Sequence, residues 1–210
     1  MTGEKMKNIQ LINSDITEEF FEICAVNGYV CVDTETTGLD YRTAALCTIQ
    51  LYCNEYAIII QFETQKNYEI LRELMLSDEI TKVFHNAVFD VSFLMKNLEL
   101  DYFGKLACTK ISAKLIHGLE HKNSLKNLLK EYLKIEIDKS QQLSDWTVDE
   151  LTEEQKHYAI NDVKYLYELW IELEKKLYEK KIYKLAIKCF EFVPNYTKLT
   201  DKNIDNIFAY

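Results

Sequence analysis

Tyr29-Val30-Cys31-Val32-Asp33-Thr34-Glu35-Thr36-Thr37-Gly38 runs from apolar residues into two carboxylates and then a turn. The apolar run predicts a central strand. Side chains alternate along an extended strand, so Asp33 and Glu35 share one face. Two carboxylates at the C-terminal end of a strand suit a hard cation. An acidic chain also contains Asp-x-Glu by chance, and a solvated strand end reads the same way.

Outward from this strand, strands and helices alternate. Residues 15–27 predict a helix with Glu18, Glu19 and Glu22 facing out. Leu46 to Tyr52 and Tyr56 to Gln61 predict two strands around the polar break Asn54-Glu55, hence an antiparallel hairpin. Residues 67–76 predict a helix, 82–85 a strand, 87–98 a helix and 106–109 a short strand. The second half is mostly helical. Thr152-Glu153-Glu154-Gln155 has the form of a capping box, which starts a helix after Thr152. Beyond it Ala159, Val163, Leu166, Trp170, Leu173 and Leu177 recur at spacings of 4, 3, 4, 3 and 4, an apolar seam for packing on the sheet. The order of elements indicates an α/β layered domain on a mixed sheet of about five strands.

The whole chain, residues 1–210, reads as one domain. With 48% hydrophobic residues, five glycines and one proline, it has ample core and no flexible linker. No apolar run approaches the roughly 18 residues that span a bilayer. Met1-Thr2-Gly3-Glu4-Lys5 lacks a signal-peptide pattern. These features predict a cytoplasmic protein without membrane contact. Six cysteines without C-x-x-C spacing read as reduced, buried thiols. The net charge of -9 argues against a binder of long duplexes, whose grip comes from basic phosphate contacts. A nuclease is compatible, because its site must be locally acidic to hold metal.

Two further stretches carry candidate chemistry. His85-Asn86-Ala87-Val88-Phe89-Asp90 follows a strand and opens a helix. Asp90 reads equally as a charge that suits a helix N-terminus. In Tyr158-Ala159-Ile160-Asn161-Asp162 the first and last residues share a helical face beside the seam. An acid there is costly to bury unpaired, so it is exposed or coordinated.

Asp33-Thr34-Glu35, Phe89-Asp90 and Tyr158-x-x-x-Asp162 together resemble the three exonuclease motifs of the DEDD superfamily, in its tyrosine-containing branch. Ser140-Gln141-Gln142-Leu143-Ser144-Asp145-Trp146 after Lys139 is similar to the ribonuclease D branch. So are Cys108-Thr109-Lys110-Ile111 and the ending Cys189-Phe190-Glu191-Phe192-Val193-Pro194 with Ile207-Phe208-Ala209-Tyr210, which point to its short, single-domain group that includes nanoRNase C. Asn86-Ala87-Val88 and the last residues depart from that group's pattern.

The resemblance implies an RNase H-like α/β/α fold and a 3′→5′ exonuclease that releases 5′-mononucleotides from short RNA, including dinucleotides. It implies two divalent ions, Mg²⁺ or Mn²⁺, with Asp33 bridging both. Glu35 and Asp162 complete one shell, and Asp90 serves the other. Tyr158 and Glu35 orient the attacking water. It also implies a homo-oligomer closed as a ring, with the tail from 189 to 210 docking on the core or on a neighbour. The alternatives are a general exonuclease of structured RNA or DNA ends and a non-catalytic nucleic-acid-binding module.

His157 also has the spacing to Asp162 that a sister branch of the superfamily uses. At about 100° per residue, Tyr158 lies ~40° from Asp162 and His157 ~140° away, which selects Tyr158. Leu39 reads equally as a wedge between substrate bases and as a core leucine. His85 reads as a contact to substrate phosphate or ribose, or as a satisfied strand-end histidine. Trp146 reads as base stacking or packing. His117 and His121 have zinc-like spacing, but no third ligand accompanies them in the sequence. Lys122, Lys126, Lys130 and Lys134 predict a basic stripe on one solvated helix face.

Overall fold

The computed structural model describes residues 8–138, 140–204 and 206–207. Met1-Thr2-Gly3-Glu4-Lys5, Lys139 and Phe208-Ala209-Tyr210, which figure in the expectations above, lie outside them. The first half of the chain holds β1 (Asn8–Ile12), α1 (Glu18–Asn27), β2 (Tyr29–Thr36), β3 (Leu46–Cys53), β4 (Tyr56–Gln61), α2 (Glu69–Leu76), β5 (Thr81–Phe84) and α3 (Ala87–Asn97). Then come β6 (Leu106–Cys108), α4 (Thr109–His117), α5 (Leu125–Leu128) and a π-helical turn, Leu129–Leu133. Three helices close the chain, α6 (Glu153–Lys164), α7 (Leu166–Glu179) and α8 (Tyr183–Asp201).

Six strands form one sheet in the order β1-β4-β3-β2-β5-β6. The β2–β3 and β3–β4 pairs are antiparallel, and β1–β4, β2–β5 and β5–β6 are parallel. The sheet is mixed as expected, with one strand more than the five read from the sequence. The extra strand is β1, a short edge strand whose weak local pattern is completed by pairing with β4.

Local chemistry explains the boundaries around β2. Thr17 caps α1, its hydroxyl accepting from the Phe20 amide at 3.2 Å. Gly28, at φ 74°, takes the left-handed conformation that ends α1 and turns the chain into β2. The β3–β4 hairpin turns through Asn54 and Glu55, both at positive φ, 46° and 70°. That conformation suits the right-handed twist of the flanking strands.

Helices cover both faces of the sheet. Packing contacts place α6 against β2, β3 and β4, and α7 against β2 and β5. Tyr29 stacks on Tyr167 of α7 with ring centroids 3.5 Å apart. The seam from Ala159 to Leu177 is buried throughout. It runs over two helices rather than one, because Tyr165, at φ -106° and ψ 5°, breaks the helix between α6 and α7. The lysine stripe does not form either. Lys122 precedes α5, the helix widens into the π-turn at Leu129, and Lys130 pairs with Glu136 at 2.6 Å.

The tail folds back on the core through α8, with Phe190, Val193 and Thr197 buried. Phe190 meets Trp170 edge-on at 5.7 Å, and the Thr197 hydroxyl lies 2.9 Å from that of Ser92 on α3. Burying side chains such as Phe190 and Val193 stabilises by roughly 1.5–3 kcal/mol each. All six cysteines are free thiols, and four of them are buried. Among the described residues, no helix is long and apolar enough to cross a membrane.

Candidate active site

Alternation along β2 divides its acids from its threonine. Asp33 pairs with Gln50 of β3 and Glu35 with Thr48, so these four side chains lie on one face. That is the face α6 covers. The pairing register shifts between Glu35 and Thr36, where the ladder is interrupted as the strand leaves the sheet.

α6 starts where the capping box places it. The Thr152 hydroxyl accepts from the Gln155 amide at 3.2 Å, and the Gln155 side-chain oxygen accepts from the Thr152 amide at 2.9 Å. The Gln155 side-chain amide also donates to the Asp145 carbonyl at 2.8 Å, which ties the preceding loop to the helix. With the start fixed, Tyr158 and Asp162 are buried and His157 is exposed, as helix geometry requires.

Oxygens of Asp33, Glu35 and Asp162 lie within 4.8 Å of one another. Carboxylates this close repel, and a hard divalent cation in an all-oxygen shell offsets that repulsion. The donor set fits Mg²⁺ or Mn²⁺. Tyr158 stands beside them. Burial, and then the charges of Asp162, Glu35 and Asp33, push its phenol well above the ordinary value. The hydroxyl therefore stays neutral and keeps a proton to donate.

Asp90 stands outside this group of three. It is reached through Thr34, the residue between the two acids, whose hydroxyl donates to its Oδ1 at 2.8 Å. Asp90 is only 2% exposed. Burial lifts its carboxyl to about 7, against which the Thr34 hydrogen bond pulls down.

The remaining expected residues take distinct positions. Leu39 is 89% exposed, so it is not a core leucine. His85 is half-buried, with Nδ1 2.8 Å from the Thr109 hydroxyl. That hydroxyl donates to the Phe84 carbonyl at 3.1 Å, so in the neutral ring Nδ1 carries the proton and Nε2 is the basic nitrogen. Trp146 does not offer a face to a base. It is 4% exposed and packs at 5.9 Å from the Tyr158 ring, walling the tyrosine in.

Gln50 and Thr48 were not singled out from the sequence. Gln50 is fully buried opposite Asp33, donates to the Thr48 hydroxyl at 2.6 Å, and has no hydrogen-bond partner on Oε1. The available signal was two polar residues at alternate positions in an otherwise apolar strand.

The profile of the 3′-5′ exonuclease family matches residues 10–178. Among curated relatives, exosome complex component 10 of Rattus norvegicus is 33% identical over 150 residues, 71% of this chain and 17% of that protein. Ribonuclease D of Pseudomonas paraeruginosa is 27% identical over 176 residues, 82% of this chain and 46% of that protein. The chain thus spans less than half the length of these two relatives. Among solved structures, Brucella melitensis NrnC is 32% identical with a TM-score of 0.88, over 97% of this chain and 98% of that one. That protein has also been solved with bound Mg²⁺ and bound to pGG. A profile that runs from the first strand to near the end of α7 takes in the three motifs and the sheet that presents them, and the chain belongs to the 3′-5′ exonuclease family.

Proposed function

We propose that this chain is a metal-dependent 3′→5′ exonuclease that removes 5′-mononucleotides from short RNA, down to dinucleotides. The observation that carries the reading is the convergence of Asp33, Glu35 and Asp162 within 4.8 Å beside a neutral, buried Tyr158. Asp33, Glu35 and Asp162 would hold one divalent ion, and Asp33 and Asp90 would serve a second. Bound there, the ions supply a water of lowered pKa and charge compensation at the departing 3′ oxygen. Tyr158 and Glu35 would orient a water for attack on the terminal phosphorus. His85 contacts the ribose or phosphate, and Leu39 enters between the last two bases. Trp146 acts through Tyr158, whose ring it confines.

Short RNA is favoured by the acidic net charge, since few phosphate contacts mean weak grip on long polymers. The pGG held by the Brucella melitensis relative supports the same size class. The reading extends to a ring-closed homo-oligomer and a cytoplasmic location. A second reading, a general exonuclease of structured RNA or DNA ends, draws on the likeness to ribonuclease D. The presence of all four carboxylates and Tyr158 argues against a non-catalytic binding module.

The test is steady-state kinetics over a length series of 5′-labelled RNA and DNA at equal concentrations of 3′ ends and matched salt. We expect a higher kcat/KM on a diribonucleotide than on a long single strand, and Leu39→Ala narrows the gap. Equal or better efficiency on the long strand leaves the general exonuclease standing.

A further inference from the structure

The loop that carries Leu39 is closed on itself. The Thr37 amide donates to the Ala45 carbonyl at 3.0 Å, and the Ala45 amide donates back to the Thr37 hydroxyl at 2.9 Å. The Asp40 carbonyl accepts from the amides of Thr43 and Ala44 at 3.0 and 2.8 Å. The Thr36 hydroxyl donates to the Gly38 carbonyl at 2.7 Å. Leu39 lies four residues past Glu35, which keeps the two within about 14 Å of each other along the chain. Single exposed leucines are ordinary on a protein surface. This one stands on a loop that is tied down from beneath.

Tyr41 and Arg42 carry the ties across the fold. The Tyr41 ring is buried and meets Phe93 of α3 edge-on at 6.3 Å. Its hydroxyl donates to Oδ1 of Asp201, the last residue of α8, and lies 3.4 Å from the Thr197 carbonyl. Burial, and then the Asp201 carboxylate, push the phenol above its ordinary value, so the hydroxyl keeps the proton it donates. Arg42 grips both Asp40 oxygens, through Nε at 2.9 Å and Nη2 at 3.0 Å, and its Nη1 donates to Asn203 Oδ1 at 3.3 Å. The Lys96 ammonium of α3 donates to the Tyr41 and Arg42 carbonyls at 2.7 and 3.0 Å.

These ties are unequal. Arg42 and Lys96 are exposed, and water competes with their contacts. The Tyr41 ring is enclosed, and its bond to a carboxylate is charge-assisted. Fixing a side chain before its ligand arrives removes the ordering cost from the binding step. A leucine on a loose loop would have to be ordered at each encounter with substrate.

We propose that Tyr41 and Asp201 are positioning residues for substrate recognition, which fasten the 37–45 loop to the end of α8 and so hold Leu39 ready to enter between the two bases of a dinucleotide. The inference rests on Leu39 acting as that wedge. It makes the end of α8 part of substrate selection without any contact to substrate.

Two measurements test it. The first is amide hydrogen exchange of the chain without metal or substrate. Tyr41→Phe and Asp201→Ala should each speed exchange at the Thr43 and Ala44 amides about 5-fold, and Asp201→Asn, which keeps an acceptor oxygen, should do so less. Tyr41→Phe keeps the buried ring and Asp201 is exposed, so both variants retain the core. Unchanged exchange in both overturns the anchor, whatever the chain cleaves. The second is steady-state kinetics on a diribonucleotide with Mg²⁺. Tyr41→Phe and Asp201→Ala should raise KM about 3-fold or more and change kcat less than about 2-fold, with Asp201→Asn close to the unaltered chain. In a Leu39→Ala background Tyr41→Phe should raise KM no further, because it acts through Leu39. If Leu39→Ala raises KM and Tyr41→Phe does not, or if their effects multiply in full, the anchoring role is overturned and the wedge stands. If Leu39→Ala itself leaves KM unchanged, the wedge reading fails and this proposal fails with it.

Discussion

The two faces of β2 treat carboxylates in opposite ways. On one, Asp33 and Glu35 meet Asp162 and crowd their oxygens together beside Tyr158. On the other, Thr34 reaches a single enclosed acid, Asp90, whose charge is suppressed by burial and restored in part by one hydroxyl. A strand can thus serve a cluster of crowded acids on one face and, through Thr34, a single buried carboxyl on the other. Environments that differ this much are how a single site divides roles among like groups.

The largest effect should come from the crowded face. Asp33→Ala removes the acid shared by both proposed ions, and mononucleotide release with Mg²⁺ should fall to background. Near-normal turnover in that variant would break the comparison at its root. Next, Tyr158→Phe keeps the buried ring and removes the hydroxyl, and kcat should fall about 10²-fold. His157→Ala, on the exposed side of the same helix, should leave kcat unchanged, and the reverse ranking would shift the chemistry to the histidine.

The closed face should answer in stability. Thr34→Val removes the donor to Asp90, which should cost about 1–3 kcal/mol in urea unfolding of metal-free protein. The pH dependence has a defined sign. Burial raises the folded carboxyl of Asp90 from its ordinary 3.8 to about 7, so the folded chain holds this proton more tightly than the unfolded chain does. The stability this contributes is complete below pH 3.8 and is lost as pH rises through about 7. Thr34→Val should accordingly cost more at pH 8 than at pH 5, because the carboxylate depends on the donor more than the neutral acid does. A penalty independent of pH would mean that the hydroxyl packs rather than pairs.

What could be read from the sequence depended on how far each signal travelled. Asp33 and Glu35 followed from strand alternation, and Tyr158 over His157 from a capping box that fixed the helix start within its own four residues. Gln50 acquires meaning only from the β2–β3 register, which sets it opposite Asp33. Glu131 meets His121 at 3.1 Å through a loop at Gly118 and a π-turn, neither of which has a periodicity to recognise. β1 is an edge strand defined by its pairing with β4, and the break at Tyr165 left the apolar spacing of the seam intact.

The division of the three clustered acids between β2 and α6 has a consequence for biosynthesis. Asp33 and Glu35 emerge from the ribosome long before Asp162, and contacts between segments so distant in sequence form late because a large loop must close first. The sheet's early hairpin can assemble while the acid set is still incomplete. A growing chain therefore lacks the complete acid cluster until α6 docks on the sheet.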